Sequence, residues 1–199
     1  MNAIRYFLAL LLVISLPAML LFWLLIHPFV HIWRRLGPAW TYSLVGMLVM
    51  LTLFGLFQAR TVLLTVEFGS HAPLWILGSG CLAMAVYLRR LLHDARLTLR
   101  VLIGLPELAP ERHPQALITT GLYARLRHPR YVQVALALLG YALIANYLAA
   151  YLIFAAWLIL MYPLVLLEER ELRQRFGNAY EAYCRQVPRF IPRLKMGLF

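Results

Sequence analysis

Two short clusters hold most of the side chains in this chain that are equipped for chemistry. The first is Arg127-His128-Pro129-Arg130-Tyr131, with Tyr123 one turn ahead of it. The second is Glu168-Glu169, adjacent carboxylates in a sequence with only eight acidic residues. Pro129 suits the first turn of a helix, where a missing N–H costs nothing and φ is already set. His128 then falls at or near the N-cap, flanked by Arg127 and Arg130. A helix start exposes unpaired N–H groups and a partial positive charge, so with two arginines beside it this element invites a carboxylate or phosphate. Glu168 and Glu169 end an apolar run, where carboxylates oppose the helix dipole. That placement points to a pair that holds cationic or hydroxyl-bearing ligand groups and orients a nucleophile. The plainer alternative is a solvated helix end paired with nearby arginines.

Other chemistries find little support. His27 and His31 stand four apart, but His71 falls on the opposite side of the expected topology, so no metal set is expected. Cys81 lies in an apolar run and Cys184 in a basic tail, which implies no disulfide framework. No Gly-rich phosphate loop, Ser/His/Asp set or Cys/His metal spacing occurs.

The elements that must position the two clusters are membrane helices. The 199 residues are 63% hydrophobic with a mean hydropathy of +0.74, against about 45–50% apolar residues in a soluble domain. The apolar residues fall in blocks: those near 7–26, 39–57 and 72–88 are long enough to span a hydrocarbon core of about 30 Å, and two more follow near 131–145 and 149–167. The first block is long and has no cleavage-type sequence after it, so it reads as an uncleaved span rather than a signal peptide. The last two blocks are separated by Asn146-Tyr147-Leu148 and must form a tight antiparallel hairpin with a short first arm. The expectation is an all-α polytopic integral membrane protein of about five transmembrane helices. It divides into three spans (1–88), a cytoplasmic interfacial helix and cofactor loop (89–130), the hairpin (131–167) and a cytoplasmic tail (168–199).

Charge sets the orientation. Seventeen of the nineteen Lys and Arg residues fall on one side of this five-span layout, leaving Arg5 and Arg60 opposite. The positive-inside rule places the N-terminus outside and the C-terminus in the cytoplasm, in what is expected to be a bacterial inner membrane. The formal charge of +11 is therefore topological, and no nucleic-acid partner is expected. Ionisable residues are nearly absent from the spans, which argues against pumps and ion-coupled carriers and puts the chemistry at the cytoplasmic face.

Beyond the third span, residues 87–102 read as an amphipathic interfacial helix. Arg89, His93, Arg96 and Arg100 form one stripe, facing headgroups or an anionic ligand. Residues 105–120 read as loop. Pro163 should kink the last span. Phe176-Gly177 marks a helix stop, and 178–187 forms a short helix with Tyr180, Tyr183 and Val187 on one side. Val187-Pro188 and Ile191-Pro192 close the chain against the membrane.

Taken in order, Gly121-x-Tyr123-x3-Arg127-His128-Pro129-x-Tyr131, a hydrophobic hairpin, Glu168-Glu169-x2-Leu172, Phe176-Gly177-x2-Tyr180-x2-Tyr183 and Val187-Pro188 resemble the isoprenylcysteine carboxyl methyltransferase family. The related phospholipid methyltransferases share parts of the same pattern. The likeness covers about 117–192. It implies an integral membrane enzyme that moves a methyl group from S-adenosylmethionine to a lipophilic or lipidated acceptor among membrane lipids. By position, Leu117, Ile118, Tyr123, His128, Pro129 and Tyr131 match the family's cofactor-binding stretch, and Arg127 at the helix start would hold the cofactor carboxylate. Glu168 matches a glutamate of its catalytic region, with Glu169 beside it.

One position departs from that pattern. Leu164 stands where carboxyl-methylating eukaryotic members carry an arginine for the substrate carboxylate. Either another arginine, such as Arg170 or one from the 89–100 stripe, takes that role, or the acceptor is an amine-bearing lipid. Two competing classes remain: a nicotinamide-dependent membrane reductase of the steroid-reductase kind, and a non-enzymatic relative that keeps the fold.

Overall fold

The computed structural model describes residues 2–26, 28–92 and 116–192. His27, the His93, Arg96 and Arg100 part of the expected basic stripe, and most of the expected 105–120 loop lie outside the described residues. Within them the protein is helical. The helices are α1 (Asn2–Ile26), α2 (Val30–Leu36), α3 (Pro38–Gln58), α4 (Arg60–Leu63), α5 (Ala72–Leu91), α6 (Pro129–Ala145), α7 (Leu148–Phe176) and α8 (Asn178–Gln186), with a 3-10 turn at Gly121–Ala124.

Four of these, α1, α3, α5 and α7, are long and apolar enough to cross a membrane, and α6 is a shorter apolar helix. The all-α polytopic architecture expected from the blocks is therefore present, with α6 as the short fifth member. The outward faces of α3 and α5 carry Trp40, Met47, Met50, Phe54, Ile76 and Leu77 fully in the open. Such surfaces match a lipid environment rather than water.

The core lies where α1 packs against α6 and α7. Ala9, Leu12, Val13 and Leu16 of α1 meet Leu138 and Ala142 of α6 and Trp157, Met161 and Val165 of α7. On the other side of α6, α5 approaches so closely that a Cβ on Gly78 would lie 2.9 Å from the Gly140 carbonyl. A Cβ on Gly140 would lie 2.8 Å from the Gly78 carbonyl. Small residues at such crossings let membrane helices gain contact where no hydrophobic drive exists between them.

α6 and α7 form the expected hairpin. Its turn is Asn146, in the left-handed conformation with φ 54°, which asparagine tolerates better than most residues. The turn is fastened to the segment before α5: Phe68 N–H donates to the Asn146 carbonyl, Leu148 N–H to that of Val66, and the Asn146 amide to that of Gly69. Arg5, expected only as a topogenic charge, is instead 1% exposed. Its guanidinium donates to the Ala145 carbonyl and pairs with Glu67, whose other oxygen accepts from the Tyr147 hydroxyl.

α7 runs unbroken past Pro163 and stops at Phe176 before Gly177, whose φ of 50° suits glycine. At 29 residues it rises about 43 Å, so its last two and a half turns, from Glu168 and Glu169 onward, are the length in excess of a core of about 30 Å.

Candidate functional site

The site forms where the start of α6, the projecting end of α7 and the segment after α8 converge. Pro129 occupies the first position of α6 and His128 its N-cap, with a non-helical backbone (φ −125°, ψ 55°). The chain following α8 runs alongside this corner: Arg127 N–H donates to the Pro188 carbonyl (2.9 Å) and His128 N–H to that of Arg189 (3.1 Å). The His128 N–H, otherwise left over at the helix start, and the Arg127 N–H before it are thereby paired, and Arg189 is brought over the end of α7.

Glu169 is the centre of the arrangement and is 0% exposed. Its Oε1 lies 2.9 Å from Arg189 Nε, 3.2 Å from Arg127 Nη1 and 3.2 Å from His128 Nε2. Its Oε2 receives Arg189 Nη2 at 2.8 Å and stands 3.5 Å from Arg173 Nη2. The Arg189 contact is the bidentate fork geometry that gives guanidinium–carboxylate pairs their strength. Arg189 also reaches the Tyr162 hydroxyl (3.3 Å), and Arg173 is shared with Glu181 (2.8 Å).

Glu168 differs from its neighbour, with its side chain 39% exposed and its Oε2 3.7 Å from His128 Nδ1. His128 therefore touches both glutamates, one through each ring nitrogen. Burial is the largest cause that pushes its pKa down to about 4, opposed by the Glu169 hydrogen bond and charge and reinforced by Arg127 and Arg189. At neutral pH the ring is uncharged. Only Nε2 lies within hydrogen-bond distance of a carboxylate, 3.2 Å against 3.7 Å for Nδ1, so in the neutral ring the proton belongs on Nε2, toward Glu169, and the Nδ1 lone pair faces Glu168.

Aromatic rings line the remaining sides. Tyr131 meets the His128 ring edge-on with centroids 5.8 Å apart, and Phe190 lies 5.9 Å away on another side. Tyr123 is half-buried, and its phenol pKa is raised by burial first and by Glu168 next, against a lowering by Arg130. Its carbonyl accepts a 2.7 Å hydrogen bond from the Tyr183 hydroxyl, which anchors the 3-10 turn to α8. From Tyr131 and Phe190 a wholly apolar groove of about 370 Å³ runs between α6 and α7, lined by Ala135, Leu139, Phe154 and Met161 among others.

Of the residues singled out by sequence, Tyr123, Arg127, His128, Pro129, Tyr131, Glu168 and Glu169 converge at this corner. Leu117 stands apart from the carboxylates, packed on the Tyr180, Tyr183 and Val187 cluster, with half-buried Ile118 next to it. Arg127 does not present itself to solvent at a helix start. It is turned inward onto Glu169, donates from the same Nη1 to Cys184 Sγ, and keeps a buried Nε with no partner among the described residues. Arg170, a candidate for the position vacated at Leu164, is exposed on α7, whereas Leu164 is core. An arginine at the corner that the sequence reading did not single out is Arg189. Its signal in the sequence was an arginine set between Pro188 and Phe190, in a segment read only as closing against the membrane. Among the described residues no group of three or more His, Cys, Asp or Glu side chains gathers as a metal site.

Residues 75–179 match the phospholipid methyltransferase family. A nickel-cobalt-cadmium resistance protein, NccN, of Alcaligenes xylosoxydans xylosoxydans is 34% identical over 85 residues, covering 43% of this chain and 40% of that protein. A cobalt-zinc-cadmium resistance protein, CzcN, of Cupriavidus metallidurans is 38% identical over 86 residues, covering 43% and 39%. The chain thus spans about two fifths of the length of these curated relatives. No solved structure matches significantly.

Proposed function

Since this chain belongs to the phospholipid methyltransferase family, a family of membrane methyltransferases, we propose that it transfers a methyl group from S-adenosylmethionine to a lipophilic acceptor at the cytoplasmic face of the membrane. The observation that supports this most is the meeting of His128 with Glu168 and Glu169 across some forty residues of sequence, next to two half-buried tyrosines and an apolar groove.

The residues present suit the cofactor's chemistry. Arg127 keeps a buried guanidinium Nε with no partner among the described residues, a donor fitted to a carboxylate. Tyr123 and Tyr131 offer ring faces to a sulfonium. Glu168, partly open, can accept from an ammonium or a ribose hydroxyl. When bound, S-adenosylmethionine supplies an electrophilic methyl group on sulfur.

What the chain's own residues do is align and desolvate. In-line displacement gains most from holding acceptor and methyl in register. The groove between α6 and α7 takes the acceptor's hydrocarbon and sets its head against His128 and Glu168. Where that head arrives protonated, Glu168 and the Nδ1 lone pair of His128 are the groups placed to receive the proton. Both a prenylcysteine-type carboxylate and an amine-bearing lipid fit a site with this mixture of arginine and glutamate. The seventeen-to-two distribution of basic residues supports a cytoplasmic site with the N-terminus outside.

Calorimetric titration of the detergent-purified protein with S-adenosylhomocysteine, with NADPH alongside, tests the reading. Micromolar binding of the first alone is expected. Binding of NADPH alone points to the reductase class, and binding of neither removes the enzyme reading.

A further inference from the structure

Glu169 has no capacity left for a ligand. An ionised carboxylate offers about four lone-pair directions, and here Arg189, Arg127, His128 and Arg173 already address both oxygens. The carboxylate that family position and sequence order single out together with Glu168 is therefore an internal group. Most of its hold comes from Arg189, which supplies both shortest contacts, 2.9 and 2.8 Å. Arg189 lies ten residues beyond the stretch that matches the family. It reaches Glu169 because its own carbonyl and that of Pro188 pair with the N–H groups of His128 and Arg127.

We infer that Arg189 is a positioning residue of this site. It acts through Glu169, holding the His128 ring with Nε2–H on Glu169 and the Nδ1 lone pair turned toward Glu168. Two neutralised oxygens make Glu169 a weak base, so it accepts the imidazole N–H without taking on an imidazolium. Remove the fork and the same carboxylate becomes a strong partner for a charged ring. The groups facing His128 from every packed element are Glu168 and Glu169 of α7, neighbouring Arg127, Arg189 of the closing segment, and the uncharged rings of Tyr131 and Phe190. Loss of Arg189 removes one of the two cations that oppose protonation.

The role in catalysis rests on the methyltransferase reading, and the experiment separates the two. Full-length protein labelled with nitrogen-15 on histidine is titrated by NMR in detergent, with the His128 signals assigned by their loss in His128→Gln. In the wild type, a single Nε2–H tautomer is expected that stays neutral well below pH 6. In Arg189→Met the apparent pKa of His128 should rise by about one unit or more. Affinity for S-adenosylhomocysteine should fall several-fold, with the far-UV dichroism unchanged. Arg189→Lys, which keeps the charge but not the fork, should lie between the two, and carries the test if Arg189→Met does not fold. An unchanged tautomer and pKa in the folded variants overturns the inference even if S-adenosylhomocysteine binds. A wild type that does not bind S-adenosylhomocysteine defeats the functional reading, while the histidine titration still decides the role of Arg189.

Discussion

The two ends of α6 each carry an arginine–glutamate cluster with one fully buried member, Arg5 at the turn and Glu169 at the other end, and they are built to different ends. At the hairpin turn, one cation meets one carboxylate: Arg5 with Glu67, backed by the Ala145 carbonyl and the Tyr147 hydroxyl. Around it, backbone hydrogen bonds tie residues 66–69 to the turn. At the other end, one carboxylate meets three arginines and a histidine, and it stands beside a second carboxylate that is partly open. The first cluster is charge-balanced and self-contained. The second is over-supplied with positive charge, adjoins a groove, and leaves a lone pair on His128 turned toward Glu168. A buried charge is common to both, so burial alone does not mark a site. What marks it is the surplus of donors over acceptors around Glu169, next to a partly exposed carboxylate.

The contrast can be broken from either end. Glu169→Ala strands Arg127, Arg189 and His128 around a vacated carboxylate site, and should cost about 3–5 kcal/mol of stability, read by chemical denaturation in detergent. A loss under 1 kcal/mol would mean the cluster is solvated. Glu168→Gln should leave stability within about 0.5 kcal/mol of wild type. Transfer of labelled methyl into a lipid extract should fall at least about a hundredfold, and retained full activity would remove Glu168 from the mechanism. Arg5→Met leaves behind a Glu67 side chain that is 36% exposed and can rehydrate. Its cost should be smaller, about 1–3 kcal/mol, with cofactor affinity unchanged; altered affinity would show that the two ends are coupled through α6.

A separate effect is expected on pH dependence. His128 is lowered from 6.5 to about 4, so between those values the unfolded chain binds a proton there that the folded one does not. Stability should therefore fall as pH drops through that window and be flat with respect to this group above it. His128→Gln, which can still donate to Glu169, should flatten the thermal midpoint between pH 6.5 and 4. An equally steep dependence in the variant would assign the titration elsewhere.

Much of this was legible in the sequence where a local rule applied. Pro129 announced the start of α6, Gly177 the end of α7, and the Asn146-Tyr147 break the hairpin, each through backbone constraints that act within a few residues. The apolar blocks gave the spans, and the family likeness gathered His128 with Glu168 and Glu169. Arg189 and Arg5 were not legible, because their roles come from contacts 20 and 62 residues away with carboxylates. No periodicity or propensity encodes such a pairing. The inward turn of Arg127 escaped for the same reason: a helix start attracts anions in general, and the nearest anion was one of the chain's own.

The length of α6 has a mechanical consequence for the surrounding bilayer. Its 17 residues rise about 25 Å, short of a hydrocarbon layer of about 30 Å. Both of its ends are pinned, by Arg5 at the turn and by the closing segment at His128, so it cannot lengthen by fraying. In a bilayer of that thickness the lipid would have to thin around the α6–α7 groove, at a cost of a fraction of a kcal/mol per ångström. A dimple of this kind would bring headgroups closer to His128. On the methyltransferase reading proposed above, acyl-chain length in the host membrane would then be a control on how easily an acceptor's head meets the site.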